Sequence, residues 1–139
     1  MSAAESPTDN APRPAMTKRI LVVDDNEDNR QILIDLLSTA GYEVIEARTG
    51  FDAVTTAERE VPDLVLMDIQ LPGMNGIEAL GVLRADPATA KIPVIAVTAS
   101  VMQQDRKLIT EAGFDAYIGK PINLKEFLAT VRKCLGDES

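Results

Sequence analysis

From Lys18 onward, short apolar runs alternate with longer stretches in which apolar residues recur every three or four positions. Ile20-Leu21-Val22-Val23, Leu64-Val65-Leu66-Met67 and Val94-Ile95-Ala96-Val97 are apolar throughout, as parallel strands are when helices cover both faces of their sheet. Glu43-Val44-Ile45-Glu46-Ala47 alternates polar with apolar, and Ala116-Tyr117-Ile118-Gly119 is short and mixed, so these two are expected at the sheet edges. The stretches between them carry helix signals. Residues 26–40 place Ile32, Leu33, Leu36, Leu37 and Ala40 on one face and stop at Gly41. Thr49, with Asp52 three residues on, is expected to cap a helix running to about Glu60. A third helix spans Asn75 to Arg84 with Ile77, Leu80 and Leu83 inward, and a weaker, polar-rich one runs from Met102 to Ala112 and stops at Gly113. Asn123 opens the last helix, with Glu126 completing a capping box and Phe127, Leu128, Val131 and Leu135 as its buried stripe.

Five strands alternating with five helices predict an α/β fold: a doubly wound, five-stranded parallel sheet of order 2-1-3-4-5, the flavodoxin-like arrangement. In that order, ligands bind beyond the carboxyl ends of the strands, where strands 1 and 3 diverge into their loops. Residues 1–16, with Pro7, Pro12 and Pro14 among small polar residues, read as a flexible N-terminal tail. Residues 17–136 form one expected domain, and 137–139 a short C-terminal tail.

Charge narrows the function classes. The 139 residues carry 22 acidic against 14 basic side chains, a net charge of −8. That lacks the basic footprint that nucleic acid requires, and an anionic membrane surface would repel it. No run is long and apolar enough for a membrane span, so a cytoplasmic protein without membrane insertion is expected. The lone cysteine, Cys134, reads as a packed helix residue. The absence of histidine excludes Ser-His-Asp and Cys-His catalysis and makes it impossible for this chain to carry a phosphohistidine itself.

The candidate chemistry sits at strand ends. Asp24 and Asp25 follow the first strand, Asp68 ends the third just before Leu71-Pro72-Gly73, Thr98 ends the fourth, and Lys120-Pro121 follows the fifth. In the expected sheet order, three carboxylates crowd one rim. Like charges that close raise a pKa unless something offsets them, and a divalent cation with hard oxygen ligands, Mg²⁺, is the simplest offset. With a hydroxyl and an ammonium on the same rim, the set suits a phosphoryl group, Asp68 acting as nucleophile. Singly, Asp24 or Asp25 reads as a helix cap, Thr98 as a strand residue, Tyr117 as a plug of the core edge and Lys120 as a solvated charge. Jointly, those readings require every polar strand end to line one rim by accident.

Asp24-Asp25, Asp68, Thr98-Ala99, Tyr117 and Lys120-Pro121, in this order and spacing, resemble the response-regulator receiver domain of two-component signalling over residues 18–136. Met67-Asp68-Ile69-Gln70-Leu71-Pro72 and Gly119-Lys120-Pro121-Ile122 are most similar to stand-alone, DivK-like receivers, and receivers within hybrid kinases share them. The resemblance implies that Asp68 is the phosphoacceptor and that Asp25, Asp68 and the backbone carbonyl of Gln70 hold Mg²⁺, with Asp24 acting mostly through a coordinated water. It implies that Lys120 pairs with Asp68 or its phosphoryl group, that Thr98 and Tyr117 move together as a switch, and that the Lys120–Pro121 peptide is cis. The upstream partner would be a sensor histidine kinase or a histidine phosphotransfer protein. A downstream effector would read the surface of helix 4, strand 5 and helix 5, about Met102 to Leu135. Such a chain is a phospho-accepting switch that catalyses its own phosphorylation and slow dephosphorylation, not an enzyme acting on others. With 16 residues before the domain and three after it, no separate output module is expected.

Three other function classes share part of this pattern. A flavin carrier of the same fold needs a loop that cradles phosphate with backbone N–H groups, whereas Asp24-Asp25-Asn26-Glu27-Asp28 repels phosphate unless a metal intervenes. An aspartyl phosphatase usually has a second carboxylate two residues beyond its nucleophile, where this chain has Gln70. A receiver-like binding adaptor that never takes phosphate is the third.

Overall fold

The computed structural model describes residues 18–71, 73–98 and 103–136, without the side chains of 103–106. Five strands, β1 (Arg19–Val23), β2 (Glu43–Ala47), β3 (Leu64–Asp68), β4 (Val94–Thr98) and β5 (Ala116–Gly119), alternate with five helices. These are α1 (Glu27–Thr39), α2 (Gly50–Glu60), α3 (Gly76–Ala85), α4 (Gln103–Ala112) and α5 (Leu124–Leu135). The sheet is parallel throughout, in the order β2-β1-β3-β4-β5. Order, strand count and both edges agree with the sequence. The tails expected at 1–16 and 137–139 lie outside the described residues.

The period of two along each central strand divides the core into two layers. Leu21, Val23, Val65, Met67, Val94 and Ala96 face Ala53, Ala57, Leu80, Leu83 and Ile109 of α2, α3 and α4. Ile20, Val22, Leu64, Leu66, Ile95 and Val97 face Leu33, Leu37, Phe127 and Val131 of α1 and α5. Cys134 packs beside this second layer, and burial pushes its thiol pKa up, which suits an inert packed residue.

Helix starts follow the expected caps. Asn26 accepts from the Asn29 N–H at 2.9 Å and Thr49 from that of Asp52 at 3.0 Å. Asn123 accepts from the Glu126 N–H at 3.1 Å, the first half of the expected box. A full box closes instead at α3, between Asn75 and Glu78, with bonds of 2.9 and 3.0 Å. The inward face of α1 is narrower than its periodicity implied. Leu33 and Leu37 are buried, but Ala40 is exposed and Ile32 is 51% exposed, because only one stripe of α1 meets the sheet.

Salt-bridged clips tie the amino-terminal rim of the sheet. The Arg84 guanidinium donates to the carbonyls of Ala90 (3.0 Å), Ile92 (2.6 Å) and Gly113 (3.3 Å) and to the Asp115 carboxylate (2.9 Å). Asp115 also accepts from the Val94 N–H at 2.8 Å, so one charge pair joins α3, β4 and the approach to β5. The buried Thr89 hydroxyl donates to the Leu83 carbonyl at 2.7 Å and closes the turn after α3.

Phe127 is the largest fully buried side chain and joins α5 to the sheet. Phe127→Ala is expected to cost about 3–5 kcal/mol in urea unfolding. Leu124→Ala, on the same helix but 52% exposed, should cost less than about 0.5 kcal/mol. Comparable losses would contradict this packing.

Candidate functional site at the carboxyl rim

The strand register sets the rim. Val23 lies opposite Met67, Asp68 opposite Val97, and Thr98 opposite Gly119. The residues just beyond β1, the last of β3 and β4, and the first beyond β5 therefore reach one level. Asp24, Asp25 and Asp68 each offer a carboxylate oxygen there, and the three oxygens lie within 4.8 Å of one another. Asp24 and Asp68 are buried, while Asp25 is exposed.

Among the described residues, one side-chain cation is paired with these carboxylates. Lys120 Nζ stands 3.4 Å from Asp24 Oδ2 and 3.6 Å from Asp68 Oδ2. The nearer partner is thus Asp24, and the approach to Asp68 is electrostatic contact beyond hydrogen-bond range. The Lys120–Pro121 peptide is cis, and the Lys120 N–H donates to the Thr98 carbonyl at 2.9 Å, which fixes β5's exit against the end of β4.

Asp68 is held from the backbone as well. Its Oδ1 accepts from the Gln70 N–H at 2.9 Å, and the Gln70 side chain is exposed. The turn that follows is compact: Gly76 donates to the Ile69 carbonyl at 3.0 Å. A Cβ at Gly76 would stand 2.5 Å from the Asp68 carbonyl oxygen and 2.9 Å from Ile69 Cα. Only glycine lets the first turn of α3 lie on the Asp68 peptide.

Thr98 is buried at the end of β4 and Tyr117 is half-buried in β5, opposite Ala96. Ala99 and Pro72 lie outside the described residues. All seven of the expected site residues that have a side-chain or backbone role at this end of the sheet are therefore described, six of them at the rim and Tyr117 two positions below it. Sequence reasoning missed Arg30. Its guanidinium is buried and donates to the Asp24 carbonyl at 2.9 Å and to Glu46 Oε1 at 2.9 Å. The available signal was an arginine at the fourth position of α1, a turn beyond the acidic pair, on the side facing the sheet.

Burial raises the pKa of Asp68 from its ordinary value. The Gln70 N–H and Lys120 lower it, whereas Asp24 and Asp25 push it further up. Three hard oxygen donors, crowded and opposed by one ammonium, fit a divalent cation.

The family model of the response regulator receiver domain matches residues 20–132. The chain belongs to the response-regulator receiver family. As a receiver it is 45% identical, over 122 residues, to the polar-differentiation response regulator DivK of Brucella ovis, covering 88% of this chain and 99% of that one. Among solved structures it is similar to the receiver domain of a Pseudomonas aeruginosa sensor histidine kinase, which has a magnesium ion coordinated in its active-site cleft. The TM-score is 0.81 at 34% identity, covering 86% of this chain and 98% of that one. A putative response regulator from Chloroflexus aurantiacus gives a TM-score of 0.83 at 30% identity, covering 86% and 98%. Among the described residues no helix is long and apolar enough to cross a membrane.

The raised pKa has a consequence for stability. A carboxyl whose folded pKa exceeds its unfolded one stabilises the fold below the unfolded pKa, and that contribution is lost as pH rises through the folded value. Near neutrality, ionised Asp68 therefore opposes folding when no cation is present. In cation-free buffer at pH 7, Asp68→Asn is expected to raise the urea midpoint, and the gap should close as the pH falls below the carboxylate range. A wild type that is the more stable of the two at pH 7 would contradict this.

Proposed function

We propose that this receiver is a phosphorylation switch that accepts a phosphoryl group on Asp68 in a Mg²⁺-dependent reaction and signals through a change of its surface. The observation that carries the reading is the meeting of Asp24, Asp25 and Asp68 with Lys120 at the rim between β1 and β3. Asp25, Asp68 and the Gln70 carbonyl would hold the cation directly and Asp24 through water. When bound, Mg²⁺ supplies charge neutralisation for the phosphoryl oxygens.

The chain's own residues do the rest. The Gln70 N–H holds one Asp68 oxygen and leaves the other directed toward Lys120. Asp68 attacks phosphorus, an O–P bond forms, and the N–P bond to the imidazole of the donor breaks. The donor is a phosphohistidine on a histidine kinase or phosphotransfer protein, since this chain contains no histidine. Lys120 stands where the equatorial oxygens gather negative charge. Beside it, a groove of about 350 Å³ lined by Ile32, Leu33, Val97, Pro121 and Ile122 offers the donor an apolar seat next to the acidic rim, which accounts for an exposed Ile32.

Thr98 then turns toward the phosphoryl group, Tyr117 moves inward, and the α4–β5–α5 face changes for a cytoplasmic effector protein. Leu108 on α4 and Leu124 on α5 are exposed apolar side chains on the two helices concerned.

With acetyl phosphate and Mg²⁺, one phosphoryl group per chain is expected, absent after chelation and absent in Asp68→Asn. No incorporation, or incorporation that survives Asp68→Asn, returns the chain to the adaptor reading. Hydrogen exchange of the phosphorylated form should change more in α4 than in α2, and equal changes in both would count against output through α4.

A further inference from the structure

Arg30 is a buried cation that the phosphoryl-transfer reading leaves without a task. At 3% exposure, a guanidinium needs acceptors in place of water, and this one has two. Nε donates to Glu46 Oε1 at 2.9 Å, and an Nη atom to the main-chain carbonyl of Asp24 at 2.9 Å. Glu46 lies on edge strand β2 with its side chain 54% exposed, so that contact anchors the guanidinium at its outer end. The inner end acts on the acidic pair.

We propose that Arg30 is a positioning residue for the cation site, orienting the peptide between Asp24 and Asp25. The proposal rests on reading the acidic rim as a Mg²⁺ site. The Asp24 N–H donates to the Ala47 carbonyl at 3.2 Å, and Asp24 Oδ1 accepts from the Asn26 N–H at 2.9 Å. The second bond, an Asx turn, spans the peptide that follows Asp24 and limits its rotation from one side. A partner on the Asp24 carbonyl limits it from the other, because that carbonyl shares one rigid plane with the Asp25 N–H. By holding that carbonyl, Arg30 sets the direction in which Asp25 leaves the strand and hence where its exposed carboxylate stands relative to Asp24 and Asp68. The planar fork of arginine suits this, since it donates to a carboxylate and a carbonyl in fixed relative directions, whereas a lysine ammonium is a point charge on a flexible stem.

A brace that only supports the fold would lower stability and leave cation affinity alone. The general effect of charge has the opposite sign to positioning, because removing a positive charge near the rim should tighten Mg²⁺ binding. The sign of the change therefore decides. In calorimetric titrations with MgCl₂, Arg30→Met is expected to bind about tenfold more weakly than wild type, with Arg30→Lys between the two. Equal or tighter binding by Arg30→Met overturns the proposal. Should Arg30→Met lack a cooperative melt, Arg30→Lys, which keeps the charge and most of the stem, carries the test: weaker binding than wild type supports positioning, and equal or tighter binding overturns it. Wild type that fails to bind Mg²⁺ at all overturns the cation reading and this proposal together, an outcome distinct from unchanged affinity in the variants.

Discussion

Three carboxylates share one ammonium at the carboxyl rim, and most of the surrounding structure makes sense as a means of keeping them there. Lys120 lies within 3.4–3.6 Å of both buried acids, which leaves the group with more negative than positive charge. In open solvent such a cluster would spread apart. Here the acids cannot separate, because Asp68 ends a strand inside the sheet, Asp24 hydrogen-bonds to β2 through its main chain, and glycine at position 76 lets α3 close over the Asp68 peptide. The apolar layers on both faces supply the rigidity that holds these like charges together. Burial is the main cause of the raised pKa of Asp68 and the neighbouring carboxylates add to it, so a divalent cation would relieve the group more completely than a proton.

Much of this arrangement is legible in the amino-acid sequence. Continuous apolar runs at Ile20, Leu64 and Val94 identified the covered strands, the mixed run at Glu43 identified an edge, and the acids stood at the ends of those runs. That reading works because a parallel sheet converts position along a strand into height along a common axis. Residues that end neighbouring strands must be neighbours in space. Helix caps were equally local, since an Asx or Thr side chain needs only its own backbone three residues on.

What was not legible depended on contacts between elements. Ile32 fits the apolar period of α1 and yet borders an open groove, because periodicity gives a face but not the width that a partner covers. Arg30 shares a helix face with Leu33 and Leu37, but its burial follows from how closely α1 lies against β1 and β2. The carbonyls gathered by Arg84 come from two separate segments, the connections that precede β4 and β5. Lys120's shorter distance to Asp24 than to Asp68 is likewise a geometric detail that spacing does not encode.

The Arg84 clip has a further meaning. It fastens the end of the sheet opposite the acidic rim, using carbonyls and one carboxylate that take no part in the chemistry. Cohesion and reactivity are thus assigned to opposite ends of the same strands. A scaffold divided in this way can change its reactive end while its fastening remains intact, and it can accept unfavourable charge there because stability is supplied elsewhere. The receiver architecture can therefore tolerate change at the acidic rim for a physical reason: the fastening at the other end does not depend on it.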